Sequence, residues 1–300
     1  MTADADTVDA ADGTPLHIEE SGPADADVTV VMAHGWTLDS RTWEPVARRL
    51  DARARVLRYD HRGHGRSAPV DPSTMTIDQL ADDMAAVVAD RAPTGPLVLA
   101  GHSMGGMTIM ALAERHPSLV ADRVAGVALV ATASGGLTER AFGLGPQALA
   151  RVTAAEQRLY RSSRWTRREH LSAVPALLAP GIRWLLLGSH PDRAAVRLTT
   201  RVLADCRPTT VSGFRPTLDA HERDAALARF ATVPTTILAG ALDRLTPLRA
   251  ARRIHEGLPS AELTIFPGAG HMLPVERAAG TAERIAGLLD AATRRAHSAA

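Results

Sequence analysis

The sequence contains no lysine, so all 34 of its basic residues are arginine. Together with abundant alanine, this bias indicates a GC-rich genome rather than a particular function. Acidic residues balance the arginines, and the formal net charge of the 300 residues is only +1. Because a strong positive charge is the usual electrostatic signature of nucleic-acid binding, we expect no nucleic-acid partner.

Cysteine occurs once, at Cys206, so an intrachain disulfide is excluded and a reducing compartment is favoured. No apolar run reaches the length needed to span a bilayer. The acidic N-terminus also lacks the basic and apolar regions of a signal peptide. These features predict a cytoplasmic protein without a membrane span.

Metal and cofactor motifs are also missing. The histidines show neither His-x-x-x-His nor Cys/His spacing, and no glycine-rich phosphate loop follows the first apolar strand. We therefore expect no metal site and no bound cofactor.

Apolar runs alternate with amphipathic segments along the first 130 residues. Residues 1–12 contain four aspartates and are predicted to form a loose tail. The alternation indicates strands and helices in turn, and continuously apolar strands are typical of a parallel sheet covered on both faces. The predicted strands are Thr14–Ile18 in a hairpin, Val28–Ala33, Val56–Asp60, Leu97–Ala100 and Val124–Val130.

The alternation stops between Ser134 and Phe230. Arginine- and alanine-rich helical patterns fill this region, at Gln147–Arg161, Arg193–Asp205 and Leu218–Phe230. Strands resume at Thr235–Gly240 and Leu263–Phe266. We predict a core in two parts, 1–133 and 231–300, with a helical cap inserted at 134–230.

The sequence Gly101-His102-Ser103-Met104-Gly105 lies between a buried strand and a helix. This is the strand–turn–helix context of a nucleophile elbow, in which glycines prevent collisions beside a strained serine. The serine oxygen would then stand above a helix N-terminus, where N–H groups can stabilise negative charge. An ordinary turn around an N-cap serine is the alternative at this point.

A serine hydroxyl needs a base within hydrogen-bond reach and a group that orients the base. Asp243 follows the strand at 235–240, and His271 follows the strand at 263–266. The carboxyl ends of parallel strands share one edge of the sheet, so both side chains are expected near Ser103. The chain order of serine, aspartate and histidine is that expected for this type of elbow.

Taken together, these motifs resemble the capped esterase/lipase-like, haloperoxidase-like branch of the α/β-hydrolase fold superfamily. The resemblance covers the chain almost end to end. It rests on His34-Gly35-Trp36, Asp60-x-Arg-Gly-His-Gly-x-Ser67, Gly101-His-Ser-Met-Gly-Gly106, Gly240-x-x-Asp243 and Gly270-His271. It implies a mostly parallel, doubly wound sheet of eight strands with a helical cap.

The resemblance also implies roles for individual residues. Ser103 would be the nucleophile, His271 the general base and acid, and Asp243 the orienting carboxylate. The backbone N–H groups of Trp36 and Met104 would form the oxyanion hole. Supporting or pocket positions would be His34 and Gly35 in the oxyanion loop, His102 in the elbow and Trp184 in the cap.

The cap is expected to determine the substrate. The apolar stretch Arg183–Gly188, which contains Trp184, is either core between cap and sheet or the wall of an acyl or aromatic pocket. The basic run from Arg158 to Arg168 is either a solvated face or attracts an anionic substrate. A carrier-protein or CoA-linked acyl group, or an anionic lipid surface, would fit the second alternative.

The predicted function is that of a serine hydrolase that cleaves a mid-size hydrophobic ester, lactone or thioester through an acyl-Ser103 intermediate. An acyltransferase or cyclase of small-molecule biosynthesis, a cofactor-free perhydrolase and a small-molecule binding module are the alternatives. Haloalkane dehalogenases and epoxide hydrolases of this fold attack with aspartate, and Ser103 excludes that chemistry. The sequence leaves the acyl length, the leaving group and the oligomeric state open.

Overall fold

The computed structural model describes residues 6–137 and 179–299 and, between them, residues 151, 154–155, 158–159, 162, 165, 167–172 and 175–177. Eight strands form one sheet: β1 Thr7–Asp9, β2 Pro15–Ser21, β3 Thr29–Ala33, β4 Arg55–Tyr59, β5 Leu97–His102, β6 Val124–Val130, β7 Thr235–Gly240 and β8 Glu262–Phe266.

The helices of the described ranges lie between the strands and after them. They are α1 Glu44–Leu50, α2 Ile77–Arg91, α3 Met104–Arg115, α4 Pro117–Arg123, α5 Ala179–Leu186, α6 Arg193–Asp205, α7 Pro208–Asp219, α8 Leu248–Gly257, α9 Leu273–Glu276 and α10 Ala278–Ala299. Short 3₁₀ helices cover Ser40–Trp43, Pro72–Thr74, Pro175–Leu177 and Asp224–Phe230. None of these described helices is long and apolar enough to cross a membrane.

The strand order is β1-β2-β4-β3-β5-β6-β7-β8. The pairs β1/β2 and β2/β4 are antiparallel, and every other pair is parallel. The predicted mostly parallel sheet of eight strands is therefore confirmed. In this arrangement β3, β5, β7 and β8 all end at the same edge of the sheet, and the loops that follow them meet there.

Helices cover both faces of the sheet because successive side chains of a strand point to opposite sides. On one face Val31 and Leu99 pack with residues of α2, α3 and α8. On the other face Val30 and Val98 pack with residues of α1 and α10. Strands buried on both faces are continuously apolar, which is the pattern that the sequence shows.

Residues 7–12 form strand β1 and the start of a turn, so the predicted loose tail is wrong for this stretch. Strand β1 pairs with β2, and Val8 is buried in the core beneath it. Gly13 turns the hairpin with φ of +77°, as the Asp12-Gly13 turn predicted. Asp12 then forms an ion pair with the buried Arg62. The aspartates of this segment therefore did not indicate the short strand, which pairs with β2 and packs on the core.

The segment between β6 and β7, residues 131–234, is named the insertion segment. Its described residues form helices and no strand, as predicted. The expected helix Leu218–Phe230 is interrupted: α7 ends at Asp219, and a 3₁₀ helix begins at Asp224. The predicted helix Gln147–Arg161 lies largely outside the described residues, as do Arg161 and Arg164.

Candidate active site

Ser103 occupies a strained turn between β5 and α3. Its φ of +52° is unusual for a residue with a side chain. Close backbone packing leaves room only for glycine on both sides. A Cβ built on Gly101 would lie 2.5 Å from the backbone of Gly105, and one built on Gly105 would lie 2.2 Å from the carbonyl oxygen of Ala33. The glycine pattern around Ser103 therefore has a steric cause.

Asp243 and His271 meet beyond the ends of β7 and β8. Nδ1 of His271 lies 2.8 Å from Oδ2 of Asp243, and both side chains are buried. Backbone N–H groups of Leu245 and Thr246 donate to Oδ1 of Asp243 at 2.8 and 2.9 Å. Burial raises the pKa of Asp243, but the His271 imidazole and these donors outweigh it, so that the pKa is lowered overall. A charged Asp243 can hold the proton of His271 on Nδ1 and leave Nε2 unprotonated.

His102 joins the serine turn to the loop of His271. Its Nε2 lies 2.9 Å from the carbonyl oxygen of His271, so Nε2 carries the proton and donates it. The two imidazole rings lie 4.9 Å apart. Burial and the nearby His271 lower the pKa of His102 to about 3. His102 is fully buried, so it packs between the serine turn and the loop that carries His271.

The loop after β3 presents the backbone of Trp36 to the same edge. The carbonyl oxygen of Trp36 accepts a hydrogen bond of 2.6 Å from the Thr37 hydroxyl, whereas its N–H has no acceptor among the residues that the structure describes. Met104 begins α3, so its N–H lacks an acceptor within the helix. A Cβ on Gly35 would lie 3.2 Å from Cβ of Ser103. Two free N–H donors thus belong to segments that border Ser103.

Three buried histidines support this loop from behind. His34 accepts the N–H of His61 on Nε2 at 2.9 Å, so its Nδ1 proton is donated to the carbonyl oxygen of Gly35 at 2.8 Å. His64 accepts the N–H of Thr37 on Nε2 at 3.3 Å. Burial holds the pKa of all three imidazoles below the ordinary value. Each side of the Trp36 peptide is therefore fixed by a neutral histidine.

An apolar cluster lies where the insertion segment meets the sheet edge. Its buried members are Leu38 of the loop after β3, Met272 next to His271, and Ile182, Leu186, Leu187 and Val202 of the insertion segment. Leu245, close to Asp243, is partly buried and packs against them. Leu186 and Leu187 are thus core between the insertion segment and the sheet, which agrees with the core interpretation of Arg183–Gly188.

Trp184 lies on the opposite side of α5. Its exposed fraction is 62%, so it is not core between the insertion segment and the sheet. It lines an open cleft of about 480 Å³ with Leu242 and Arg244. The Arg244 guanidinium stacks on its indole at 5.2 Å from the ring centroid. The expectation that Trp184 lines the substrate pocket stays a prediction.

Two further residues that border the site, Thr246 and Glu276, are not among the residues predicted from the sequence. The Thr246 hydroxyl donates to Oδ2 of Asp243 at 2.7 Å. The Glu276 carboxylate accepts N–H groups from Gly270 and Met272, which flank His271. The three-residue spacing of Asp243 and Thr246 is typical of local side-chain hydrogen bonding and could have indicated Thr246. Among the described residues, no group of three histidine, cysteine or acidic side chains could hold a metal ion.

Comparison with known proteins shows which family this chain resembles. A family model described as alpha/beta hydrolase fold matches residues 28–278. A pimeloyl-[acyl-carrier protein] methyl ester esterase from Chromobacterium violaceum is 34% identical over 246 residues, which are 81% of this chain and 86% of that protein.

A relative from Variovorax paradoxus that carries the provisional name carbamate hydrolase RutD is 30% identical over 268 residues, 88% of this chain and 92% of that protein. Among solved structures, the enol-lactonase from Burkholderia xenovorans covers 95% of this chain and 99% of its own, with a TM-score of 0.76 and 24% identity. At that identity the structural likeness shows the fold alone.

Proposed function

Since this chain belongs to the alpha/beta hydrolase fold family, we propose that it is a serine hydrolase that cleaves a hydrophobic ester, lactone or thioester through an acyl-Ser103 intermediate. One observation carries the proposal. The His271–Asp243 pair, with Nδ1 and Oδ2 at 2.8 Å, lies at the sheet edge where Ser103 stands on a turn of positive φ. A packing role for Asp243 and His271 alone would not require a strained serine beside them.

In the proposed acylation, Oγ of Ser103 adds to the acyl carbon while its proton passes to Nε2 of His271. The carbonyl π electrons move onto oxygen. Collapse of this intermediate breaks the bond to the leaving group, which takes the proton from His271. Water then attacks the acyl-serine by the same route and releases the acid and the free serine. Asp243 keeps the imidazole in the tautomer that accepts a proton and stabilises the imidazolium.

The proposed oxyanion hole consists of the N–H groups of Trp36 and Met104. Both are backbone donors, and the Trp36 peptide is held by neighbours bonded to His34 and His64. Donors that are fixed before the reaction do not have to reorganise as charge develops, and one such donor is worth about 10²–10³-fold in rate. The supporting histidines stay neutral, so they add no charge of their own.

The insertion segment is proposed as the cap, and its contacts support a hydrophobic substrate. Leu38, Leu245 and Met272 are in one apolar cluster with side chains from α5 and α6. An apolar seam next to the reacting atoms excludes water and favours an aliphatic or aromatic acyl group.

A carrier-protein-linked acyl ester is a second substrate candidate. The relative from Chromobacterium violaceum is named for such a substrate. Arg167 and Arg168 of the basic run are exposed, and exposed arginines suit an anionic carrier or phosphopantetheine arm.

A panel of p-nitrophenyl esters, lactones and acyl thioesters tests the proposal, with an alkyl fluorophosphonate as covalent probe. We expect turnover of at least one class, with the probe attached to Ser103. Ser103→Ala should lower kcat on the order of 10⁶-fold, whereas Ser73→Ala, a change of an exposed serine, should leave it unchanged. Full turnover by Ser103→Ala would exclude the acyl-Ser103 route.

Product analysis separates the alternatives. Hydrolysis predicts free acid as the main product even when an alcohol acceptor is added. Dominant transfer to the alcohol would indicate the acyltransferase or cyclase, and halogenation that depends on peroxide and a carboxylic acid would indicate the perhydrolase. Binding with a single turnover would indicate a receptor-like module.

A further inference from the structure

The C-terminal end of α5 is hydrogen-bonded to the loop that carries His271. The backbone N–H of His271 donates to the carbonyl oxygen of Leu186 at 2.8 Å, and the N–H of Ser189 donates to the carbonyl oxygen of Gly268 at 3.0 Å. His271, the proposed base, is thus hydrogen-bonded through its own backbone to the insertion segment.

Glycine allows these two backbones to touch. A Cβ on Gly188 would lie 1.9 Å from the carbonyl oxygen of Gly268. A Cβ on Gly270 would lie 2.6 Å from the carbonyl carbon of Leu187. Real Cβ atoms do not approach backbone so closely, so a side chain at either position would separate α5 from the His271 loop.

The Glu276 carboxylate bridges the same two segments. Oε2 accepts the N–H of Gly188 at 2.6 Å. The N–H of Gly270 lies 3.0 Å from Oε1 and 3.2 Å from Oε2, and the N–H of Met272 lies 3.2 Å from Oε1. The carboxylate therefore holds the backbone on both sides of His271 and, with the same group, the end of α5.

Because Glu276 is largely buried, its carboxylate depends on these hydrogen bonds. Burial raises the pKa of its carboxyl although the three N–H groups and Arg277 oppose the shift. A carboxylate that is largely removed from water depends on its remaining donors, and loss of one is costly. Movement of α5 away from the sheet would remove the Gly188 donor from Glu276 and the Leu186 acceptor from His271 together.

We propose that Glu276 is a positioning residue that couples the docking of α5 to the alignment of His271. In this inference, which rests on the proposed function, a displaced α5 releases the His271 loop, and the imidazole loses its geometry until α5 returns. When substrate entry or product exit displaces α5, His271 would then be misaligned and unable to act as base. Acyl transfer would proceed only after α5 has closed over the site and excluded most of the water.

Two variants weaken the bridge from opposite sides. Glu276→Gln keeps the shape of the side chain but removes its charge and leaves one acceptor oxygen. Gly188→Ala leaves Glu276 unchanged and places a methyl group against Gly268. Glu283→Gln, which changes an exposed glutamate of α10, is the matched control.

The first measurement is hydrogen–deuterium exchange of peptides that cover residues 184–190 and 268–272. The coupling predicts that exchange in both segments rises together in Glu276→Gln and in Gly188→Ala, and in neither segment in Glu283→Gln. A rise confined to one segment would overturn the inference. This readout does not depend on turnover.

The second measurement is the rate at which the fluorophosphonate probe labels Ser103. Both bridge variants should label about tenfold more slowly and show a similar loss in kcat with little change in KM, because the base is misaligned. Labelling at the wild-type rate by variants with raised exchange would reduce Glu276 to a structural role and overturn the proposal. Failure of the wild-type protein to label at all would instead contradict the acyl-Ser103 proposal.

Discussion

The Thr246 hydroxyl donates a hydrogen bond of 2.7 Å to Oδ2 of Asp243, the same oxygen that lies 2.8 Å from Nδ1 of His271. Both Asp243 oxygens are therefore occupied, since Oδ1 accepts two backbone N–H groups. The carboxylate has one orientation that satisfies all of these donors. In that orientation Oδ2 faces the imidazole.

Thr246→Val should lower kcat by about tenfold to a hundredfold, because a hydrogen bond to a charged group contributes about 1.5–3 kcal/mol. KM should change little, since Thr246 acts on Asp243 rather than on substrate. Steady-state kinetics on the best p-nitrophenyl ester would measure both constants. Thr246→Ser restores the hydroxyl and should recover most of the rate. A valine variant with wild-type kcat would contradict this role.

Asp243→Asn should lower kcat on the order of 10⁴-fold while the protein remains folded. The amide oxygen can still accept the backbone donors of Leu245 and Thr246, but the NH₂ group would then face Nδ1 of His271. A donor at that place favours the tautomer with its proton on Nε2, which cannot accept a proton from Ser103. Circular dichroism and urea unfolding would establish the fold. Loss of activity explained by unfolding would not support the tautomer argument.

Gly105→Ala should destabilise the protein by about 2 kcal/mol or more, because a Cβ there would lie 2.2 Å from the Ala33 carbonyl oxygen. Gly287→Ala is the matched control. Gly287 is exposed in α10, and a Cβ there meets nothing within 4 Å, so alanine should stabilise its helix by about 0.5–1 kcal/mol. Urea unfolding of both variants would test the difference. Equal stability would remove the steric explanation of the elbow glycine.

The parts of the site that sequence reasoning could find are those with a local cause. Glycine is required around Ser103 because a side chain there would collide with residues nearby in the chain and with the neighbouring strand. A local requirement of this kind produces a short sequence motif. Asp243 and His271 could be placed because parallel strands end at a common edge. The sheet was predictable for a similar reason, since its buried strands are apolar throughout.

The parts that sequence reasoning missed depend on contacts between distant segments. The Glu276 carboxylate accepts a hydrogen bond from Gly188, 88 positions away in the chain. The hydrophobic periodicity of the sequence does not indicate a contact between such distant residues. His102 bonds to the carbonyl oxygen of His271, 169 positions away in the chain, and the local motif around Ser103 does not indicate that contact. Trp184 is apolar but points away from the core, because α5 buries only the face that carries Ile182 and Leu186.

Buried neutral histidines predict a protein whose stability depends on pH. Burial lowers the pKa of His102 to about 3 and that of His221 to about 4, while the unfolded chain has the ordinary value near 6.5. Between these values the unfolded state binds more protons than the folded state. The stability from neutral burial is therefore complete above about pH 6.5 and is lost progressively as the pH falls toward 4.

At pH 5.5 these two histidines together should lower the free energy of unfolding by about 3 kcal/mol relative to pH 7.5, and urea unfolding should show that loss. His221→Gln removes one titrating group, distant from the proposed mechanism, whose Nε2 lies 3.1 Å from the carbonyl oxygen of Ala133. It should reduce the difference in unfolding free energy between the two pH values by about half, whatever its effect at pH 7.5. His190→Gln, a change of an exposed histidine, should leave the difference unchanged. An unaltered pH difference in His221→Gln would mean that this imidazole is not held neutral by burial.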